Sequence, residues 1–381
     1  MLFKIMKKIQ MVDLKGQYEH IKEQVNQSVL EAIESTMFIN GPSVKSFQDH
    51  LEKYLGVKHV IPCANGTDAL QIALMGLGLK PGDEVITTDF TFAATVEVIS
   101  LLGLTPVLVD VDPKTFNIDI PSIEKAIGPK TKAIIPIHLF GQAADMEEIL
   151  ALAKKNNLYV VEDNAQSIGA DYTFSDGSKK KTGTMGHIGT TSFFPSKNLG
   201  AYGDGGAIFT NDDELAHTIR GMVNHGMYIR YQHDVVGVNS RLDSVQAVIL
   251  DIKLNLLDFY NESRKAAALK YNQRLADQPQ LITPFRMGNC DTHVYHQYTL
   301  KLIDGDRDKL VKHLNENGIP CGVYYPIPLH LQKAYTSDNY KAEDFSVTLK
   351  IVNQVISLPM HTELTDDQID FITDTVKAFL D

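Results

Sequence analysis

Lys197 is the residue from which a chemical reading of this sequence starts. It lies in Ser192-Phe193-Phe194-Pro195-Ser196-Lys197-Asn198-Leu199-Gly200, an apolar, proline-containing stretch after a β-branched run. Burial disfavours an ammonium, so a lysine in such a place has a lowered pKa and an amine free to attack carbonyls. A lone loop lysine is usually a surface residue, but two other segments change that reading. Leu158-Tyr159-Val160-Val161-Glu162-Asp163 is an apolar run that ends in carboxylates. A carboxylate at the end of a buried strand needs a partner: a helix N-terminus, an arginine or lysine, or a protonated ring nitrogen. Asn65-Gly66-Thr67-Asp68 follows a third apolar run and opens a helix. Gly66 allows close backbone approach, and the first N–H groups of a helix are free to hold an anion. By itself this segment is an ordinary helix cap, and it matches neither a P-loop nor a dinucleotide fingerprint. Together the three parts meet the needs of pyridoxal 5′-phosphate. The lysine would form the Schiff base, the carboxylate would keep the pyridine nitrogen protonated, and the helix start with a serine would hold the phosphate.

Regular elements must bring these residues together. Short apolar runs at 59–64, 84–89, 105–112, 132–139, 159–165, 190–194 and 206–211 alternate with amphipathic stretches. That alternation predicts a mostly parallel seven-stranded sheet covered on both faces. The α/β large domain, with an N-terminal helix, is placed at 1–245. In open α/β sheets ligands bind at the carboxyl ends of the strands. Gly66, Thr67, Phe92, Asp163, Gln166 and Ser192 through Lys197 all fall at predicted strand ends. Beyond residue 240 the pattern changes. Residues 241–278 read as one long helix or two consecutive ones, and strand candidates at 296–302 and 321–327 flank a further helix. The terminal helix starts at Thr365, with Gln368 completing a capping box. Ile369, Ile372, Val376 and Phe379 share one face of it. This predicts a smaller α+β domain at 246–381. The polar segment 173–186 is expected to be an exposed loop or hairpin, with its lysine triplet in a solvated turn.

Composition excludes several functions. Against 36 lysines and arginines stand 47 aspartates and glutamates, a formal net charge of −11, which argues against nucleic acid or an anionic membrane as the main partner. Hydrophobic residues make up 44% of the chain, enough to fill a sizeable core. The start carries two apolar patches broken by lysines and lacks a signal-peptide apolar region; Met11 is an alternative first residue. No apolar stretch is long enough to span a bilayer. Cys63, Cys290 and Cys321 are sparse and odd in number, which fits a reduced, cytoplasmic setting. No cysteine pair has metal spacing. His293 and His296 stand three apart and read as packing residues, so no metal is expected.

At this point the sequence resembles a known family. DALQIALMGLGLKPGDEVIT, VVEDNAQSIGA, SFFPSKNLGAYGDGGAI and GVNSRLDSVQAVIL are similar to the DegT/DnrJ/EryC1/StrS sugar aminotransferases, which act on nucleotide-linked keto-sugars. These have the aspartate-aminotransferase-like fold, fold type I of the pyridoxal-phosphate enzymes. The resemblance runs from about Asp13 to the end, through FINGPSV, YYPIPLH and SLPMH. It implies that Lys197 is the Schiff-base lysine, that Asp163 pairs with the pyridine nitrogen, and that Gln166 contacts the ring hydroxyl. Phe92 would stack on the ring. Gly66, Thr67, the backbone of Asp68, and Ser192 would hold the phosphate. Asn239 would reach the cofactor phosphate of a neighbouring subunit, which implies a homodimer with composite sites.

Substrate roles follow the same resemblance. Arg241 is the candidate for a substrate carboxylate or other anion, because arginine binds carboxylates bidentately. Tyr324 and the region of His330 lie in the loop that would close over the sugar. The wording of the motifs is similar to that of enzymes acting on UDP-linked 2-acetamido-3-keto-uronates, with dTDP-3-keto- or 4-keto-6-deoxyhexoses as the alternative and glutamate as the usual donor. The longer insertion at 173–186 departs from the family pattern. Related sugar dehydratases replace the lysine by histidine, and a non-catalytic regulator would be expected to lose Lys197 or Asp163; both residues are present. A nicotinamide-type oxidoreductase fails for want of a glycine fingerprint after the first strand.

Overall fold

The computed structural model describes residues 8–290 and 292–381. The first apolar patch of the chain and the alternative start at Met1 fall on residues outside that range. Seven strands form the main sheet: β1 (His59–Cys63), β2 (Glu84–Thr88), β3 (Thr105–Val109), β4 (Thr131–Ile134), β5 (Tyr159–Asp163), β6 (Ile188–Ser192) and β7 (Gly206–Thr210). Their order is β1-β7-β6-β5-β4-β2-β3. Only β7 runs against its neighbours; β2–β3, β2–β4, β4–β5 and β5–β6 are parallel. The expected mostly parallel, seven-stranded α/β architecture is therefore present.

Neighbouring side chains in each strand enter opposite layers, as the two-residue period of a strand requires. Ile61, Val85, Ala133, Val161 and Ile208 pack with helices α3 (Gly66–Gly76), α4 (Ala94–Leu101) and α7 (Asp213–Met222). Ile86, Ile134 and Val160 instead meet α5 (Ile120–Ala126) and α6 (Met146–Asn156). Val60, Ala207 and Phe209 meet α2 (Pro42–Leu55) and α8 (Ser244–Leu254). This explains why the strands read as continuous apolar runs: both faces are covered. Helix α1 (Leu14–Glu34) packs on α8 through Ile21, Val25, Ile249 and Ile252.

The 241–278 stretch is two helices, α8 and α9 (Leu257–Arg274), broken at Asn255–Leu256. Ala247, Leu250, Leu254 and Leu257 lie in the core of the large sheet, whereas Ala267, Ala268 and Tyr271 lie in a second core. The second core covers a three-stranded antiparallel sheet of β8 (Leu281–Ile282), β9 (Tyr298–Leu302) and β10 (Val355–Leu358). It also takes in α10 (Arg307–Glu316) and α11 (Asp366–Leu380). The α11 capping box at Thr365 and Gln368 forms as expected.

Two expectations need correction. Residues 321–327 make no strand; Gly322 pairs singly with Ser357, and prolines 326 and 328 then turn the chain away. The third strand is β10. The 173–186 segment is only half exposed. Its hairpin pairs Asp171–Thr173 with Lys179–Lys181 around an exposed turn. Thr182, Thr184 and Met185 are buried, because the carboxylate of Glu162 accepts the N–H groups of Gly183 (2.7 Å), Met185 (2.6 Å) and Gly186 (2.5 Å).

Candidate active site

The two-residue period sorts the carboxylates at the end of β5. Glu162 points to the α5–α6 side, where it meets His138 Nε2 at 2.9 Å. His138 Nδ1 accepts the Ala144 N–H, so Nε2 carries the proton given to Glu162. Asp163 points the other way, with Val161, towards α3 and α4. There its Oδ2 accepts the Thr95 hydroxyl of α4 at 2.9 Å and its Oδ1 accepts the Ala165 N–H at 3.1 Å. Thr95 was not singled out by its sequence; its only signal is a hydroxyl at the start of a helix after a strand end. Glu162 is thus structural, and Asp163 is a buried carboxylate fixed in the site.

Lys197 sits in the turn that follows β6, closed by its own N–H to Phe194 O at 2.8 Å. Gly200 is required there, since a side-chain carbon would meet Pro195 O at 2.3 Å. The residue keeps some solvent contact, but its amine is enclosed. Desolvation lowers its pKa to about 8, opposed by the charge of Asp163. At pH ~7.5 about a quarter of such an amine is unprotonated, against about one in a thousand at an ordinary lysine pKa.

Helix α3 starts beside this pair. Asn65 Oδ1 caps it by accepting the Asp68 N–H at 2.8 Å. The Asp68 N–H, expected to face a phosphate, is therefore already engaged by the cap. Among the described residues the N–H groups of Gly66 and Thr67 have no protein acceptor, and they carry the positive end of the helix. A side-chain carbon on Gly66 would lie 2.6 Å from Ser192 Cβ, so only glycine lets the helix start approach the end of β6. Ser192 Oγ accepts the Phe194 N–H at 3.2 Å, which leaves its own O–H to donate outward.

The walls are aromatic and amide. Phe92 is 59% exposed, unusual for a phenylalanine at a strand end, and its ring centre is 6.3 Å from that of Tyr325. Gln166 is fixed on both sides: Oε1 accepts the Phe140 N–H at 2.8 Å, and Nε2 donates to Tyr325 Oη at 3.0 Å. One N–H of its amide stays available. Burial pushes the Tyr325 phenol pKa up, so it remains protonated. Tyr325 is the tyrosine of this loop that reaches Gln166. The Tyr324 ring folds back over Gly322, where an added side-chain carbon would lie 2.6 Å from it. His330 is buried and structural: Nδ1 and its backbone N–H bind the Asp89 carboxylate at 2.7 and 2.8 Å. That pair ties the 326–331 loop to the end of β2.

Among the described residues no hydrogen bond or ion pair joins Asn239 or Arg241 to Lys197 or Asp163. They line an open cavity of about 470 Å3 with Ile39, Gly203 and Gln246. That cavity borders Ala64, whose N–H donates to Ser240 Oγ at 3.0 Å. His293 and His296 are both buried, and no cluster among the described residues has the make-up of a metal site.

These residues fit pyridoxal phosphate on structural grounds. A desolvated amine faces a buried carboxylate, a helix start presents unengaged N–H groups over a glycine cradle, and an exposed aromatic ring stands in front. The match to the DegT/DnrJ/EryC1/StrS aminotransferase family model spans residues 19–377. A UDP-2-acetamido-2-deoxy-3-oxo-D-glucuronate aminotransferase from Pseudomonas aeruginosa is 46% identical over 364 residues, covering 96% of this chain and 98% of that protein. A pleiotropic regulatory protein of Geobacillus stearothermophilus is 46% identical over 373 residues, covering 97% and 98%. The solved structure of NtdA from Bacillus subtilis with bound cofactor PMP superposes with a TM-score of 0.91 at 32% identity, covering all of this chain and 87% of that one. The chain belongs to the DegT/DnrJ/EryC1/StrS aminotransferase family and is a pyridoxal-phosphate-dependent aminotransferase of fold type I.

Proposed function

We propose that this enzyme transfers the amino group of glutamate to the keto carbon of UDP-2-acetamido-2-deoxy-3-keto-glucuronate, yielding an amino-sugar for surface polysaccharide synthesis in the cytoplasm. The observation that carries the chemistry is the Lys197 amine, desolvated and facing Asp163 beside the open start of α3. The likeness to the Pseudomonas aeruginosa enzyme supports the sugar, and Arg241 offers a bidentate partner for its carboxylate. Bound pyridoxal phosphate supplies an electron sink for the carbon that loses a proton. Lys197 would link covalently to it and, when free, would carry the proton taken from the donor's α-carbon. Asp163 would hold a negative charge against the ring nitrogen. Gly66, Thr67 and Ser192 would hold the phosphate, and Gln166 and Phe92 would orient the ring.

The test is incubation with glutamate and a panel of UDP- and dTDP-linked keto-sugars, read by mass spectrometry. Amination of the UDP-linked 3-keto-uronate in preference to its non-acidic counterpart is the expected result. Preferential amination of a dTDP-3-keto- or 4-keto-6-deoxyhexose would replace that substrate, and turnover of amino acids alone would remove the sugar altogether.

The composite site belongs to the same proposal. Asn239 is exposed, and Ile39 beside it continues an exposed apolar strip of Leu30, Ile33, Met37 and Phe38. Such a strip marks a protein interface. In the homodimer Asn239 would complete the phosphate site of the partner. Mixing refolded Lys197→Ala and Asn239→Ala chains should then restore turnover, because one site of each mixed dimer receives both wild-type residues. Failure of the mixture to exceed the activity of either variant alone would show that Asn239 does not act across the interface.

A further inference from the structure

Against the turn that carries Lys197 lies a second buried amine, which the proposed chemistry leaves unused. Lys253, on α8, is 1% exposed, and among the described residues no carboxylate pairs with it. Its Nζ donates to the Gly200 carbonyl oxygen at 2.5 Å and lies 5.4 Å from the centre of the Tyr202 ring. Burying a lysine is costly, because its ammonium loses water. Here desolvation first, then the charge of Arg264, brings the pKa down to about 7. Charged or neutral, the amine carries N–H groups, so it donates to Gly200 across neutral and alkaline pH. A methionine of similar length would fill the same place without burying an amine, so packing alone does not call for lysine.

The carbonyl it holds is the closing point of the turn. Leu199 and Ala201 are buried in the core with Ala247, Leu250 and Leu254 of α8, so the Gly200 carbonyl between them needs a donor from the protein. Gly200 also lies against the start of the turn: an added side-chain carbon would meet Pro195 O at 2.3 Å and Phe194 O at 3.0 Å. Phe194 O accepts the Lys197 N–H at 2.8 Å, and Phe193 O accepts the Ala201 N–H at 2.7 Å. A shift of Gly200 is therefore passed to the carbonyl that sets the Lys197 backbone. Gln246, two turns before Lys253 on the same face of α8, makes a second hold on the segment. Its Oε1 accepts the Tyr202 N–H at 2.8 Å, and its Nε2 donates to Tyr202 O at 3.4 Å.

We propose that Lys253 is a positioning residue for Lys197: its amine, bound to the Gly200 carbonyl beside the Tyr202 ring, clamps the turn onto α8 and so aims the Lys197 amine at the cofactor. This inference rests on the reading of Lys197 as the cofactor lysine. The clamp acts on the backbone of the turn and not on Gly66 or Thr67 at the start of α3. It should therefore govern the covalent step of cofactor loading and leave the preceding binding step alone.

The experiment mixes the apoenzyme with pyridoxal 5′-phosphate over a range of concentrations at pH ~9 and follows the visible band of the lysine-bound cofactor. With the Lys197 pKa at about 8, most of its amine is free at that pH, so the rate reports position more than titration. Lys253→Met keeps the stem and removes the donor. Its limiting rate constant should fall by about 30-fold at an unchanged half-saturating cofactor concentration, since an ångström of misplacement costs up to ~10²-fold. Its thermal midpoint near neutral pH should not fall in step, because the desolvation cost of a buried amine goes with the amine. Lys253→Arg, which restores a donor, should recover most of the rate. If the methionine variant does not fold, Lys253→Gln, polar but too short to reach Gly200, should show the same slowing. A wild-type limiting rate in Lys253→Met or Lys253→Gln would overturn the inference, even with reduced thermal stability. Slowing in Lys253→Arg equal to that in Lys253→Met would overturn it too, since loss of native packing would then explain both. A band that persists in Lys197→Ala would instead overturn the reading of Lys197, so the two failures are distinguishable.

Discussion

Lys197→Ala should remove both the visible band of the lysine-bound cofactor and turnover, with kcat falling by about four orders of magnitude, the combined scale of a lost nucleophile and a lost proton carrier. The fold should survive. Among the described residues the Lys197 side chain makes no hydrogen bond, and the turn around it is held by backbone contacts of Phe193, Phe194 and Ala201. Thermal unfolding of the apo variant should stay close to wild type, because deleting a desolvated amine removes a burial cost as well as a methylene stem. An added small amine should restore a little activity if the residue's task is proton transfer. Retention of full activity by Lys197→Ala would sink the site assignment. The wild-type enzyme carries a pH signature of the same residue. Its Lys197 pKa lies below the ordinary lysine value, so covalent loading should rise with pH and reach half its limit near 8.

Asp163→Asn is the second large effect. The change is isosteric, and the side chain now meets the Thr95 hydroxyl and the Ala165 N–H with an amide in place of two acceptors. The amide oxygen can still accept the Ala165 N–H and the amide nitrogen can donate to the Thr95 hydroxyl oxygen, so the protein should remain folded. The charge is the larger loss. Without it nothing in the site favours a protonated ring nitrogen, and kcat should fall by about 10^3-fold, the scale of a preorganised electrostatic contact. Lys197 also loses its one opposing charge. Asp163 raises the lysine pKa, so its removal should lower it, and the loading midpoint should move to more acid pH. The variant should therefore load at lower pH than wild type while turning over far more slowly. Equal kcat in Asp163→Asn and wild type would show that the carboxylate does not serve the ring.

The sheet was legible because both of its faces are buried. Continuous apolar runs mark strands of that kind, and all seven appear where the pattern places them. The site residues on the sheet were readable for the same reason: they stand where apolar runs stop. The second part of the chain was less readable. Strand β10 is only Val355–Leu358, while Cys321–Ile327 has more of the look of a strand. Pairing decided between them: β10 pairs along β9, whereas the other segment meets the outer edge of β10 only at Gly322–Ser357 before the prolines after Tyr325 turn it away.

What the sequence determined by itself is the set of elements and the chemical types at their ends: a lysine after one strand, a carboxylate after another, a glycine opening a helix. These depend on local patterning and on which residues tolerate burial. Tertiary structure decided which neighbour each group meets. It gave His330 to Asp89 and Gln166 to Tyr325. It also brought Thr95 to Asp163. Those outcomes rest on hydrogen bonds between residues far apart in the chain, and no local pattern encodes the distance between two side chains that meet only after the sheet has closed.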